Sequence, residues 1–199
     1  MSTMIKALCA GMIAIFCGIP NAQAVDAGAV SAGYIGADVG AIVYDGNTSA
    51  LTRLYGGLTI GSSTAFGLQQ LHALELMLYT TRLRQDGYWL GADYSIPGIK
   101  TRANGAALSW TTALKLNDNW SLTSRLGATY THTKSGYDIK DYPSYNWSRD
   151  TAGVIAGVGA AYKLSPHMSA TVDLNYMPIK LDYTKTDPAT VSAGVKYHF

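Results

Sequence analysis

The chain has 199 residues, of which 48% are hydrophobic and 14% charged, and its formal net charge is +2 at pH 7. Such a near-neutral balance gives no reason to expect nucleic acid as a partner. Glycine and tyrosine are abundant, long helical periodicity is absent, and the length suits one domain.

The first 24 residues have the features of an export signal. Lys6 supplies a positive start, residues 7–19 form a short apolar run, and Ala22-Gln23-Ala24 is a small-x-small cleavage site. A retained anchor helix is the alternative, but the apolar run is short for a membrane-spanning helix. We therefore expect residues 1–24 to be a cleaved signal peptide. Both cysteines lie within this segment, so neither a disulfide nor a thiolate metal site is expected in the mature chain.

The rest of the chain alternates between apolar and polar residues, with turns between the alternating segments. A period of two places one set of side chains on each face of a sheet. The predicted strands are 33–44, 51–61, 67–83, the two arms of a hairpin over 103–131, 151–164, 168–180 and 190–199. The third segment, 67–83, has a helical alternative because its leucines and Glu75 are good helix formers, but its alternation favours a strand.

The connections between these strands alternate between two kinds. Turns are predicted at Asp45-Gly46-Asn47, 62–64, Asn117-Asp118-Asn119 and 165–167, and a short loop around 186–188. Longer polar and aromatic loops are predicted over 84–102 and 134–149. Tight turns on one side and longer loops on the other are typical of an outer-membrane barrel.

The central hairpin, 103–131, leaves two interpretations of its faces open. A soluble barrel or sandwich would bury the apolar set that includes Leu108 and Leu126, whereas a membrane barrel would turn it toward lipid and keep Thr111 and Arg125 inside. Each arm has about 11–13 alternating residues; about 9–11 tilted residues cross a bilayer core, and soluble strands are nearer 5–6. Strand length therefore favours an all-β, eight-stranded, antiparallel up-and-down transmembrane β-barrel over residues 25–199.

Six segments resemble the transmembrane β-barrel domain of the OmpA family of outer-membrane proteins. They are GYIGADVG at Gly33, LYGGLTIG at Leu54, ALEL at Ala73, NGAALSWTTALKLNDNWSLTSRLG at Asn104, AGVGAAYKLSP at Ala156 and the terminal VSAGVKYHF. The resemblance implies a place in the outer membrane of a Gram-negative bacterium. The terminal Phe199 resembles the signal that the barrel assembly machinery recognises. No segment resembles the family's periplasmic peptidoglycan-binding domain, so cell-wall anchoring is not expected.

Five charged residues are predicted to face the barrel interior, namely Asp38, Arg53, Glu75, Arg125 and Asp173. Ions at membrane depth are costly unless they are paired or hydrated, and an eight-stranded barrel has little room beyond its own side chains. We therefore expect a lumenal ion network, either as a packed polar plug or as a gate on a narrow pore, which is how the resembled family's network has been interpreted. Thr111 and Asp38 replace lysines that the family carries on its fourth and first strands.

Two further groups of residues bear on function. Aromatic residues in the long loops, Trp89, Tyr142, Tyr145 and Trp147, are predicted to make surface contacts; the alternative is that they pack the loops together or touch lipopolysaccharide. His167-Met168-Ser169 has the His-x-Ser spacing of lipid A deacylases, but it falls in a tight turn on the periplasmic side. The remaining histidines lack metal-ligand spacing. We expect no enzyme activity, no metal and no cofactor.

The sequence thus predicts a structural outer-membrane protein that supports envelope integrity and makes surface contacts through its extracellular loops. A small gated pore is the alternative, and a lipid A-modifying enzyme is a weaker one. The expected partners are outer-membrane lipids and lipopolysaccharide, together with the barrel assembly machinery during biogenesis. The protein is expected to act as a monomer and to bind no nucleic acid.

Overall fold

The computed structural model describes residues 33–44, 47–85, 99–137, 145–178 and 189–199, which lie almost entirely in eight β-strands. These strands are β1 (Gly33–Tyr44), β2 (Asn47–Ala65), β3 (Leu68–Gln85), β4 (Ile99–Lys115), β5 (Trp120–Tyr137), β6 (Tyr145–Lys163), β7 (Met168–Tyr176) and β8 (Ala189–His198). The segment with the helical alternative is strand β3, as its alternation predicted. None of the described ranges contains a helix long and apolar enough to cross a membrane.

The eight strands close into one barrel. Each strand pairs antiparallel with the next, and β1 closes the ring by pairing with β8 from Tyr34↔His198 to Val43↔Ala189. The predicted eight-stranded up-and-down topology is confirmed. Because closure leaves the sheet without a free edge, the backbone N–H and C=O groups find their partners within the wall, as a lipid environment requires.

The two faces of the wall are inverted relative to those of a soluble protein. On β2, Leu54 and Leu58 are 59% and 61% exposed, whereas Arg53, next to Leu54 on the same strand, is 1% exposed. On β3, Leu76 is 54% exposed and its neighbour Glu75 is fully buried. Apolar side chains therefore point outward and polar side chains point inward. This arrangement supports the transmembrane interpretation over the soluble one.

Aromatic side chains mark the height of the outward apolar band. At the end of the barrel with the short turns, the rings of Trp120 and Tyr162 are 4.9 Å apart and those of Tyr197 and Phe199 are 5.7 Å apart. Tyr130, also on β5, is exposed at the other end of the band. Trp120 and Tyr130 are ten positions apart along β5. At about 3.3 Å per residue and a tilt of about 40°, they span roughly 25 Å, which matches the apolar band of outer-membrane barrels.

The β2–β3 turn lies later than predicted. Residues 62–64 continue strand β2, and the turn is formed by Phe66 and Gly67, whose φ angles are +56° and +73°. Two left-handed residues are typical of the tight type I′ hairpin turn. A bulge between Thr59 and Gly61 shifts the pairing with β3. Because a bulge reverses the alternation after it, the apolar pattern in the sequence stopped at 61 although the strand did not.

Several other strand limits also differ from the prediction. Strand β2 begins at Asn47 rather than at 51, and β7 ends at Tyr176 rather than at 180. The predicted loops 84–102 and 134–149 are wrong at both ends, because β3, β4, β5 and β6 extend into them. Residues 1–32, which contain the predicted signal peptide, lie outside the described residues, as do 45–46 and the predicted loop at 186–188.

Strands β3 to β6 rise past the apolar band on the side away from the short turns. Strand β5 continues seven residues beyond Tyr130 to Tyr137, and it pairs there with the start of β6, Tyr137↔Tyr145. We call this projecting part, residues 80–85, 99–105, 131–137 and 145–151, the extracellular wall. This part lies above the membrane, where lipid places no limit on strand length. Its strands still pair with one another although both of their faces are polar.

Candidate functional site

The first group of charges in the barrel interior is centred on Arg53. Its register opposite Asp38 on the neighbouring strand brings the two side chains together: Arg53 Nε donates to Asp38 Oδ1 at 2.7 Å and Nη2 donates to Oδ2 at 2.8 Å. Nη2 also lies 3.3 Å from Asp173 Oδ2 and donates to the hydroxyl of Ser192. Arg53 therefore makes a bidentate ion pair with Asp38 and also reaches Asp173 across the lumen.

The second group is centred on Arg125. Its Nε donates to Glu75 Oε1 at 2.9 Å, and its Nη1 donates to Asn175 Oδ1 at 2.8 Å. Nη1 is also 3.8 Å from Asp173 Oδ1. Asp173 thus lies between Arg53 and Arg125 and joins the two groups. The structure brings all five charged residues that the sequence placed inside into one connected network.

Residues that the sequence analysis did not assign to the site complete this network. The Tyr34 hydroxyl donates to Glu75 Oε2 at 2.8 Å and lies 3.3 Å from Thr111 Oγ1. The ammonium of Lys196 stands 4.3 Å from the centre of the Tyr34 ring and 5.7 Å from that of Tyr55, within cation–π range. The inward parity of Lys196 on β8 was readable from its alternation, and that signal would have identified it.

We refer to Asp38, Arg53, Glu75, Arg125, Asp173 and Lys196 as the ionic layer. It contains three carboxylates and three cations, so its formal charges balance. Balanced pairing is what allows charged groups to remain in a narrow interior at membrane depth, since an unpaired buried charge carries a large desolvation penalty.

Two glycines on β6 make room for the ionic layer. Gly157 pairs with Asn175 and Gly159 pairs with Asp173 across the β6–β7 ladder. A Cβ atom at Gly157 would collide with the side-chain amide of Asn175, and one at Gly159 would collide with the carboxylate of Asp173. The small residues that the sequence places on the inner face of β6 therefore let the longer side chains of β7 lie flat across the lumen.

An apolar layer fills the lumen on the extracellular side of the ions. On β3 the inward positions run from Glu75 to Met77 and Tyr79, so the layer begins directly above the ion network. Met77, Ile155 and Met177 are at most 1% exposed. With Leu51, Tyr79 and Ala107 they belong to a single buried cluster. This layer was not predicted from the sequence, although the apolar residues at inward positions 77 and 155 are its signal.

The interior is more open on the periplasmic side of the ions. A cavity of about 120 Å³ is bordered by Tyr34, Glu75, Arg125 and Lys196. A larger recess of about 530 Å³ at the periplasmic mouth shares Lys196 and His198 with it. Water and small solutes can therefore approach the ionic layer from the periplasm, whereas the apolar layer closes the opposite side.

The predicted surface aromatics fall in different places. Trp147 lies in β6 on the extracellular wall, where it is half-buried, and Tyr145 is the first residue of that strand. Both were predicted to lie in a loop, and that prediction is wrong because β6 begins earlier. Trp89 and Tyr142 lie outside the described residues.

The His-x-Ser spacing at 167–169 does not produce a catalytic pair. His167 is exposed in the β6–β7 turn, where its Nδ1 lies 3.1 Å from the backbone oxygen of His198. The Ser169 hydroxyl lies 3.3 Å from Nε2 of His198, not beside His167. In the parts of the chain that the structure describes, no group of three or more His, Cys, Asp or Glu side chains is placed to hold a metal ion.

A different serine and histidine meet on the outward face. The Ser63 hydroxyl lies 2.7 Å from His72 Nε2 and 3.2 Å from Gln70 Oε1, while His72 Nδ1 lies 3.2 Å from Thr112 Oγ1. Nucleophilic acyl transfer also needs donors aimed at a developing oxyanion. Here the backbone groups pair across the barrel wall, Ser63↔Gln70 and His72↔Thr112, so these contacts act as a polar link between strands.

A closed eight-stranded wall, an outward apolar band with aromatic edges and an inward ion network together define an outer-membrane β-barrel protein. The sequence matches the family model described as "Outer membrane protein beta-barrel domain" over residues 10–199. The chain belongs to this family and is an outer-membrane protein. No curated protein matches the sequence.

Solved structures of similar fold agree with this assignment. The chain is similar to the attachment invasion locus protein Ail of Yersinia pestis (17% identity, TM-score 0.53, 85% of this chain and 98% of that chain). It is similar to Neisserial surface protein A (16% identity, TM-score 0.54, 85% and 99%). It is also similar to OprG of Pseudomonas aeruginosa (15% identity, TM-score 0.55, 85% and 97%). At these identities the likeness shows the fold alone.

Proposed function

We propose that this protein is a structural, non-conducting barrel that supports the integrity of the outer membrane. The observation that carries the proposal is the double closure of the lumen. The ionic layer crosses the interior, and the apolar layer of Met77, Ile155 and Met177 closes it again on the extracellular side. A rearrangement of ion partners alone would leave the second closure in place, which argues against the gated-pore alternative.

The remaining parts of the proposal concern maturation and partners. Residues 1–24 are removed on export, residues 25–199 form the barrel, and the barrel assembly machinery inserts it as a monomer. The extracellular end contacts lipopolysaccharide and other surface partners. One structure of Ail was determined in complex with the heparin analogue sucrose octasulfate, an anionic ligand. The protein acts without catalysis, metal or cofactor.

Planar-bilayer conductance of four proteins tests the closure. The wild type, the ionic-layer variant Glu75→Gln/Arg125→Met and the apolar-layer variant Ile155→Ala/Met177→Ala are all expected to be silent, because each variant keeps one closure. The quadruple variant is expected to conduct. Folding of each protein is checked by its gel mobility before and after boiling. Steady conductance by the wild type or by the ionic-layer variant alone would establish the gated pore instead.

A strain that lacks the protein tests the envelope role directly. We expect greater entry of detergents and large hydrophobic antibiotics, restored by the wild-type protein and by the silent variants. Unchanged exclusion in the deletion strain would refute the structural role even if the barrel proved silent in bilayers.

A further inference from the structure

Three cations stand side by side on the outward face of the extracellular wall. Arg82 on β3 is directly opposite Arg102 on β4, and Arg102 is directly opposite Lys134 on β5. All three are exposed, and they alternate with the buried inward residues Thr81 and Thr133. We call Arg82, Arg102 and Lys134 the cationic row. The row ends at Ser148 on β6, opposite Lys134.

This arrangement opposes the barrel's own stability. Like charges directly opposite each other on neighbouring strands are destabilising, because the strands are only about 5 Å apart. A shallow recess of about 650 Å³ contains the whole row together with Lys100, and no carboxylate is among the described residues that line it. The cationic row therefore lacks a counter-charge from the described part of the protein.

Among the residues that the structure describes, the outward carboxylate nearest the row is already engaged. Asp150 lies one step closer to the membrane along the wall, and its Oδ1 is 2.6 Å from Nδ1 of His132. Beside this pair, Thr80 donates to Asn104 at 2.7 Å. At this level the polar side chains are thus engaged with one another, and within the described part of the chain no carboxylate is left over to pair with the cationic row.

The height of the row indicates where that anion lies. Lys134 is four residues beyond Tyr130 on β5, which corresponds to roughly 10 Å above the aromatic edge of the apolar band for a tilted strand. This is the depth at which the headgroups of the outer leaflet adjoin the barrel. The side chains of the row also lie on the same outer surface of the barrel as the exposed leucines, and not at the open end of the barrel.

We propose that the cationic row binds the phosphate groups of the lipid A headgroup of lipopolysaccharide molecules next to the barrel. Arginine forms two parallel hydrogen bonds to phosphate oxygens, and a basic side chain near an anionic membrane surface adds a favourable electrostatic contribution. This proposal rests on the proposed function and makes its lipopolysaccharide contact more specific. It assigns that contact to the outward face of β3 to β5 and to phosphate chemistry.

The test compares two variants that each lose two positive charges. Arg102→Gln/Lys134→Gln removes most of the cationic row. Lys115→Gln/Lys163→Gln removes two exposed lysines at the periplasmic end and is the matched control. Each full-length mature protein is folded into phosphatidylcholine vesicles with trace spin-labelled lipid A, either phosphorylated or with its phosphates removed. Electron paramagnetic resonance gives the association constant of each lipid at the protein boundary relative to phosphatidylcholine.

The wild type and the periplasmic control are expected to prefer phosphorylated lipid A. In the row variant, this preference is expected to fall roughly fivefold for each cation removed. In the single variant Lys134→Gln, it is expected to fall by an intermediate amount. For dephosphorylated lipid A, all the proteins are expected to have the same association constant. An unchanged preference in the row variant would overturn the proposal.

Two further measurements separate this proposal from its competitors. If a soluble sulfated polysaccharide bound the wild type but not the row variant, while lipid association stayed equal in both, the partner would be a soluble polyanion and the lipid proposal would be wrong. Bilayer conductance and gel mobility are measured on the same samples. A conducting wild type would overturn the structural role alone, whereas silent, folded barrels with no lipid A preference would overturn the cationic row alone.

Discussion

The ionic layer and the apolar layer close the same lumen by different physical means. In the ionic layer, Arg53, Glu75 and their partners are held by directed contacts of 2.7–3.3 Å, and each group depends on a named neighbour. In the apolar layer, Met77 and Ile155 are held only by close packing. The ionic layer is therefore sensitive to which residue is lost, whereas the apolar layer is sensitive to how much volume is lost.

The largest expected effect is the loss of Arg53, because it leaves both Asp38 and Asp173 without its guanidinium. We expect Arg53→Met to lower the free energy of unfolding by about 3–5 kcal/mol, as for other buried pairs that lose one partner. Urea unfolding in lipid vesicles measures this. Lys163→Met, at an exposed periplasmic position, is the control and should change stability by less than about 0.5 kcal/mol. A small effect of Arg53→Met would mean that water reaches these carboxylates.

A second prediction concerns volume in the apolar layer. Ile155→Ala should destabilise the barrel by about 2–5 kcal/mol through lost burial and a residual cavity. The adjacent Val154 is on the outward face and 56% exposed, so Val154→Ala is the matched control and should cost much less. Equal losses for the two variants in the same unfolding assay would show that the lumen is loosely packed at this level.

The third prediction distinguishes directed contacts from packing. Glu75→Gln and Arg125→Met should each destabilise the barrel, and the double variant should recover part of the combined loss. We expect a coupling energy of about 1–3 kcal/mol, because the two charges share the 2.9 Å ion pair. Asp173 lies 3.8 Å from Arg125 and can take over part of the pairing, which places the value toward the lower end. Strictly additive losses would exclude Glu75 and Arg125 as energetic partners.

The last prediction tests the space that β6 leaves for the ions. Gly159→Ala places a methyl group against the carboxylate of Asp173, and also against the Val172 backbone oxygen and the Thr123 hydroxyl, and should cost about 1–3 kcal/mol by overpacking. Gly56→Ala is the matched control, because a methyl group there would meet nothing closer than 3.4 Å. Vesicle unfolding of the two variants provides the comparison. If Gly159→Ala were as stable as its control, the network would have enough slack to shift around the added atom.

The sequence predicted the faces of the wall because alternation is set by local geometry. Arg53 and Glu75 were assigned inward simply from their parity, and the inward ions had to pair because a lipid-surrounded lumen leaves them little water. The contacts that Asp173 makes with Arg53 and Arg125 could not be predicted in the same way. Those contacts depend on the register between strands, and Asp173 reaches Arg53 from β7, 120 residues further along the chain.

The errors in the prediction have equally specific causes. The bulge at Thr59–Gly61 reversed the alternation, so the end of β2 resembled a turn. In the extracellular wall both faces are polar, so periodicity of hydrophobicity carries no signal there although the strands pair. Lys196 was not assigned to the network, since its cation–π contact with Tyr34 becomes visible only when β8 closes on β1.

The balance of charges in the ionic layer has an electrical consequence for a protein that crosses a membrane with unequal ion concentrations on its two sides. A transmembrane voltage does work on a group in proportion to its net charge, at about 2.3 kcal/mol per elementary charge per 100 mV. Asp38, Glu75 and Asp173 offset Arg53, Arg125 and Lys196, so a Donnan potential exerts no net force on the layer as a whole. Such a potential therefore gives the layer as a whole no net drive to move across the membrane.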